Sequence, residues 1–289
     1  MSDRLPVELA LVIFRDAADI FVISDRPSAA ALAQTCRLAY DTVRPILLRR
    51  VIATGSNSLA LDYALRQGDN APMIQDLSLT ATAWGPSRPA LRNLTNLRCL
   101  RGNPESIRIA IDGIPASAHA SLFKLQLWNH YALRVVPPNV THVSLCAKKI
   151  VGRVLQAFVA WVADTSSLTH FALEFISLEA ASLWQDIVGE NLVDGLRVIF
   201  KAGGPRLVEI CVRLAGDIAS ESSDNWNGIL DMLREAQASE GDAEWTNRLR
   251  IWRDTRRFVD YQDDIDTSIS DARAGVDVWS EARPLAEFL

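Results

Sequence analysis

The side chains of this chain best suited to metal or proton chemistry are four histidines, His119, His130, His142 and His170, and four cysteines, Cys36, Cys99, Cys146 and Cys211. Their spacing narrows what they could do. No two cysteines form a C-x-x-C pair, so neither a zinc site nor a disulfide framework is indicated, and reduced, buried thiols fit better. His142 and His170 hold the same slot in two neighbouring copies of a Thr-His-apolar segment. Stacking those segments would bring the rings close enough to share a metal or a proton. Two histidines are an incomplete site, however, and no Cys or carboxylate recurs at matching spacing. The pair therefore reads as an exposed position just before a strand.

The remaining chemistry-bearing patterns are equally bare. Asp263-Asp264 sits in an acidic, turn-rich stretch with no partnered acid or base. The loops G-x-x-x-x-G-K-[ST], G-x-G-x-x-G and G-x-S-x-G and the H-E-x-x-H helix are absent, and Gly203-Gly204-Pro205 is a turn between two apolar runs. The expectation is a non-enzymatic protein with no cofactor and no metal. A cleft gathering ionisable groups with shifted pKa values would reopen that question.

Charge and hydropathy set the class of partner. Among 289 residues, 49% are hydrophobic and 22% charged, and the formal net charge is -5. A globular chain follows, without the Lys and Arg surplus that phosphate neutralisation requires, so no nucleic-acid partner is expected. Arg248, Arg250, Arg253, Arg256 and Arg257 form the one notable basic cluster and read as a solvated helix face paired with Asp254, Asp260 and Asp263. The N-terminus lacks an uninterrupted signal-peptide core, and the apolar stretch 150–162 contains Arg153 and Gln156 and is too short to span a bilayer. A cytoplasmic or nuclear protein with no membrane partner is expected, with the sequons at Asn93 and Asn139 unused.

The elements that must position these residues fall into three zones. Over residues 1–50, Pro6 can open a helix, Glu8 suits its first turn, and Leu5, Leu9, Ile13, Phe14 and Ala17 share a face. Ser24-Asp25-Arg26-Pro27 breaks it, and Ser28 offers a cap for a second helix carrying Leu32 and Cys36. Ala39, Tyr40 and Val43 continue that face until Pro45 interrupts or restarts it. Three short helices make a thin core that gains by covering its apolar faces with a partner or with the rest of the chain.

The run Leu5-Pro-Val-Glu-Leu-Ala-Leu-Val-Ile-Phe14 resembles the opening of an F-box, Leu-Pro-x-Glu-Leu followed by Ile-Phe, and Leu32-Ala-Gln-Thr-Cys-Arg-Leu-Ala-Tyr40 resembles its second half. Asp41 to Arg50 is similar to the segment leading out of the box in many fungal members. The resemblance implies a head that binds the Skp-type adaptor of a cullin–RING ubiquitin ligase. Leu5, Pro6, Leu9, Ile13, Phe14, Leu32, Cys36 and Tyr40 match the motif; some would touch the adaptor and others would hold the helices together.

Residues 51–215 carry a recurring hexamer, apolar-x-x-apolar-x-apolar, starting at Ile74, Leu94, Leu122, Val140, Leu168, Val193 and Leu207. Its last two apolar positions alternate and so share one face of a short strand. No single copy buries that face alone, which predicts parallel strands stacked side by side with a helix or loop behind each. Val151, Val154, Leu155 and Phe158 supply one such helix, and Leu183, Trp184, Ile187 and Val188 another. The pattern resembles the degenerate leucine-rich repeats behind F-boxes in mushroom-forming (basidiomycete) fungi.

Residues 216–289 read as a divergent C-terminal cap and acidic tail. Trp226 to Gln237 predicts a helix, Trp245, Leu249 and Trp252 another, and Arg257 to Tyr261 a last strand, with Val276, Val278 and Trp279 placed to dock on the body. The whole is an α/β chain: a three-helix F-box-like head, a leucine-rich-repeat-like solenoid and a cap. Its expected role is that of a substrate receptor, the head taking the adaptor and the repeats an unknown target protein. The alternative is a repeat scaffold without adaptor binding.

Overall fold

A computed structural model describes residues 6–80, 87–128, 136–147, 159–175, 192–215, 224–239, 241–256, 271 and 276–289. It is an α/β structure built on a nine-stranded, mostly parallel sheet.

The chain begins with three helices, α1 (Val7–Ser24), α2 (Arg26–Ala33) and α3 (Arg37–Arg49), each packed on the other two. Their boundaries follow from local chemistry. Asp25, not the expected Ser28, caps α2, its carboxylate accepting the Ser28 N–H at 3.3 Å. Cys36 stands outside the second helix and opens the third, Sγ accepting from the Ala39 N–H at 3.4 Å. Pro45 neither interrupts nor restarts α3, which runs through it to Arg49. Ala18, Ala33 and Val43 form the small core between these helices, with Phe14, Leu32, Ile46 and Leu47 packed around it.

The strand β1 (Arg50–Ala53) starts at the residue after α3 ends. There follow β2 (Asp76–Leu79), β3 (Cys99–Gly102), β4 (Lys124–Trp128), β5 (His142–Ala147), β6 (His170–Phe175), β7 (Glu209–Ala215) and β8 (Leu249–Asp254). Each lies parallel to its predecessor, in chain order, and the two-residue β9 (Arg283–Pro284) closes the β8 edge antiparallel. The hydrogen-bonded sheet thus continues past residue 215 through β8 and β9.

Strand alternation sorts the side chains. One face aligns Leu77, Leu100, Leu125, Val143, Phe171, Ile210 and Leu249 in one row and Leu79, Leu127, Leu145, Leu173, Val212 and Ile251 in the next. These residues form a single apolar core with α4 (Ser58–Arg66), α6 (Pro104–Gly113), α8 (Leu192–Gly203) and α9 (Asp224–Ala238). Ile74, Leu97, Leu122, Val140, Leu168 and Leu207 anchor the turn into each strand and are all buried. Those turns are themselves laddered, as in Arg98 N–H to Gln75 O at 2.7 Å and Thr169 N–H to Thr141 O at 3.0 Å. Short α5 (Arg88–Leu91) and α7 (Ala116–Ser121) lie between the strands, and α10 (Ala243–Thr246) leads into β8.

Gly102 takes the place of a leucine in the second apolar row. Its φ is 155°, and a Cβ there would stand 2.8 Å from the Leu79 carbonyl oxygen. Only glycine lets β2 and β3 approach this closely.

Three expectations are corrected. The hexamer at Leu94 is out of register by three: Leu97, Leu100 and Gly102 occupy the positions that Ile74, Leu77 and Leu79 hold one strand earlier. The hexamer at Val193 is no strand but the start of α8, where Val193, Leu196 and Ile199 are buried at helical spacing. Leu249 and Trp252 belong to a strand, β8, and not to a helix. The expected helices over 151–158 and 183–188 and the expected strand over 257–261 lie outside the described residues, as do Leu5, His130 and Asp263-Asp264.

Candidate functional site

Two surfaces stand out: the apolar outside of the head and the polar face of the sheet. In the head, the expected site residues divide by role. Phe14 and Leu32 are half-buried against Ala18, Ala33 and Val43 and hold the helices together. Leu9 and Ile13 are 52% and 49% exposed, Tyr40 is 44% exposed, and Pro6 and Cys36 face outward as well. The Arg44 guanidinium lies over the Tyr40 ring, 5.4 Å from its centroid. Four further apolar residues, Val7, Val12, Ile20 and Leu38, share this exposure and escaped the motif because its landmarks do not include them.

The head is fastened to the sheet by polar bonds. Arg26 donates to the carbonyls of Leu47 at 2.6 Å and Arg50 at 3.2 Å, and Arg44 Nε donates to Asn70 Oδ1 at 3.0 Å.

The second face of the sheet carries the polar residues that alternate with the core. Arg101 Nε donates to Gln126 at 2.9 Å, and Gln126 donates to Glu174 at 3.1 Å. Ser144 Oγ donates to the same carboxylate, and Arg213 then joins Glu174 at 3.2 Å to Asp254 at 2.8 Å. Arg213, Glu174 and Asp254 are at most 3% exposed. Charges so deep persist only because every one is matched, and the ladder fixes register across six strands more than it adds net stability. Burial pushes the Asp254 carboxyl up, but the guanidinium groups of Arg256 and Arg213 more than offset it and hold it below the usual range. Ionisable groups are gathered here, each bonded to a counterpart.

His142 and His170, placed in register by β5 and β6, stack with ring centroids 4.0 Å apart and planes 6° apart. Each ring keeps its Nδ1 2.8 Å from the hydroxyl of the preceding threonine, Thr141 or Thr169. Burial, then the charges of His170 and Lys124, lower the His142 pKa to about 4, against the pull of Asp277. Burial and Arg250 lower His170, against Glu209. Both shifts favour the neutral imidazole. Among the described residues no group of three or more His, Cys, Asp or Glu is arranged to hold a metal ion.

The C-terminal segment lies across this face. Asp277 caps the short helix α11 (Val278–Glu281), accepting from the N–H groups of Trp279 and Ser280 at 3.1 Å, and its carboxylate pairs with Lys124. Trp279 covers the Lys124 ammonium at 4.4 Å and meets the His142 ring edge-on at 5.3 Å. Val278 and Ala282 pack on Ala172 of β6 and Cys211 of β7. Burial raises Asp277, but Lys124, the Ser280 N–H and Arg101 hold it below the usual carboxylate range. Docking by Val278 and Trp279 was legible in the sequence. The face they would choose was not.

The described arginines of the cluster lie in β8 or beside it, not on a helix, and are spent on local contacts; Arg257, Asp260 and Asp263 lie outside the described residues. Arg248 pairs with Glu244, Arg250 with Glu209 and Arg256 with Asp254 and Asp271, each at 2.6–2.7 Å, while Arg253 lies over the Trp226 ring. Among the described residues no helix is long and apolar enough to cross a membrane. No family model, curated protein or solved structure matches this chain.

Proposed function

We propose that this chain is an F-box-like substrate receptor: residues 1–50 bind a Skp-type adaptor, and the sheet behind them is a leucine-rich-repeat-like solenoid that takes a target protein. Catalysis of ubiquitin transfer then belongs to other subunits. The observation behind this reading is the outward apolar surface of the head. Leu9 and Ile13, two landmarks of the motif, stand about half exposed on α1, next to exposed Val12. A thin helical core that leaves such residues in water gains by burying them against a partner, at roughly 25 cal/mol for each Å² covered. The strand order supports the second half of the reading, since neighbours in sequence are neighbours in the sheet, each contacting the next.

The second reading, a repeat scaffold without adaptor binding, draws on the bonds from Arg26 and Arg44 to the first strand and turn. In it the head only seals the β1 edge. Co-purification with a Skp-type adaptor of the same organism separates the two. The receptor reading expects a stable complex that a Leu9→Asp, Ile13→Asp double variant loses while keeping its helical circular dichroism. Well-folded wild-type protein that forms no complex would sink it.

A further inference from the structure

The polar face of the sheet already holds a peptide, and that peptide belongs to the chain itself. Residues Asp277–Ala282 lie on β4 to β7, whereas Leu285 and Phe288, just beyond β9, enter the apolar core, where Phe288 meets the Trp226 ring. The segment therefore has two parts of different character. Its far end is an anchor in the main core. Its near end rests on one ion pair, on Trp279 against Lys124 and His142, and on a small apolar cluster of Val278 and Ala282 with Ala172, Cys211 and Trp252. Trp279 Nε1 is buried with no acceptor among the described residues. The face beneath does not depend on the segment for its own order, because Arg101, Gln126, Ser144, Glu174, Arg213 and Asp254 bond to one another.

We propose that the polar face over β4–β7 is a peptide-binding surface occupied in cis by Asp277–Ala282. Its external ligand is a partner segment with an aspartate that starts a helical turn and a tryptophan two residues later. The complementarity is written in the contacts. Lys124 receives the carboxylate, the Lys124 and His142 side chains frame the indole, and the small side chains of Ala172 and Cys211 leave room for the turn that follows. A tethered segment competes at an effective concentration in the millimolar range, so a partner must exceed it or arrive with additional contacts. The inference holds whether or not the head takes an adaptor.

The test uses the full chain and a fluorescent peptide of residues Val276–Pro284, read by anisotropy. A Asp277→Lys, Trp279→Ala double variant loosens the near end and keeps Leu285 and Phe288 in place. The expected result is peptide binding at least about tenfold tighter to the double variant than to wild type, the difference being the cis competitor. Adding Lys124→Glu to the double variant should remove binding, and a peptide carrying Asp277→Lys should restore it. A folded double variant that ignores the peptide, or one indifferent to Lys124→Glu, overturns the proposal. So does loss of cooperative unfolding in both the double variant and Trp279→Ala alone, since the segment would then be an inseparable part of the fold.

Discussion

In the head, the packed interior is made of Ala18, Ala33 and Val43, and larger apolar residues such as Leu9, Val12, Ile13 and Ile20 are left outside. In the sheet the arrangement is reversed. Leucine, isoleucine, valine and phenylalanine fill one continuous interior, and even charged groups, Arg213, Glu174 and Asp254, are drawn away from water. The contrast teaches that the two regions face different demands. Stacked strands bury each other's side chains in sequence, so adding one strand completes the previous one. The three helices of the head have no stacked strand on their outer side among the described residues, and the proposed adaptor would cover the apolar surface left there.

The sharpest way to break this comparison is to attack the sheet's buried charge. Arg213→Met leaves Glu174 and Asp254 without their shared cation, and the expected loss is about 3–5 kcal/mol in denaturant unfolding. A loss near zero would mean that water reaches the ladder. Phe171→Ala should cost a similar amount, about 3–5 kcal/mol, by opening a cavity in the middle of the apolar row. Gly102→Ala should cost about 1–3 kcal/mol, because β2 and β3 must part to admit a methyl group.

Acid provides a graded test. The His142 ring has its pKa lowered to about 4 in the folded chain, against about 6.5 unfolded. As pH falls below 6.5, the unfolded imidazole takes up its proton first, so stability declines from there to about 4 and this contribution then levels off. Lys124, His170 and Asp277 face that ring and share the effect. Asp277, whose folded pKa is depressed, adds stability that is full above the usual carboxylate value and is lost as pH falls through the lower folded one. Unfolding midpoints between pH 7.5 and 4.5 should fall for wild type and fall less for His142→Asn. Equal slopes would show that the ring titrates as if exposed. The smallest effect sharpens the comparison from the other side: Leu9→Ala and Ile13→Ala should each change stability by within about 0.5 kcal/mol, since both side chains already stand in water.

Much of the architecture was legible because single residues signalled it. Ile74, Leu122, Val140, Leu168 and Leu207 open hexamers in true register, each followed by a strand. Leu94 misled because Leu94, Leu97 and Leu100 recur at intervals of three and the true register ends in Gly102, so only the false one, ending in Cys99, completes the apolar pattern. Val193, Leu196 and Ile199 show the related ambiguity, in which the first four residues of the hexamer coincide with a helical face. Around β8 the heavy residues Trp245, in the short α10, and Leu249 and Trp252, in the strand, mimic helical spacing, while the alternation Leu249, Ile251 that marks the strand is short. The landmarks of the head were visible, but the split between Phe14 and Leu32 inside and Leu9, Ile13 and Tyr40 outside depends on how three helices cross, which no local spacing encodes. The pairing of Lys124 with Asp277 joins residues far apart in the chain and had no local signal at all.

The absence of any residue between α3 and β1 has a geometric consequence. A helix advances about 100° per residue. One residue inserted between Arg49 and Arg50 would therefore swing the head around the helix axis by about that angle, leaving the composition of both surfaces unchanged. The direction in which Leu9 and Ile13 point, relative to the polar face of the sheet, is thus set by chain length at this junction and held by the bonds from Arg26 and Arg44, as a compass bearing is set by the mounting of the needle.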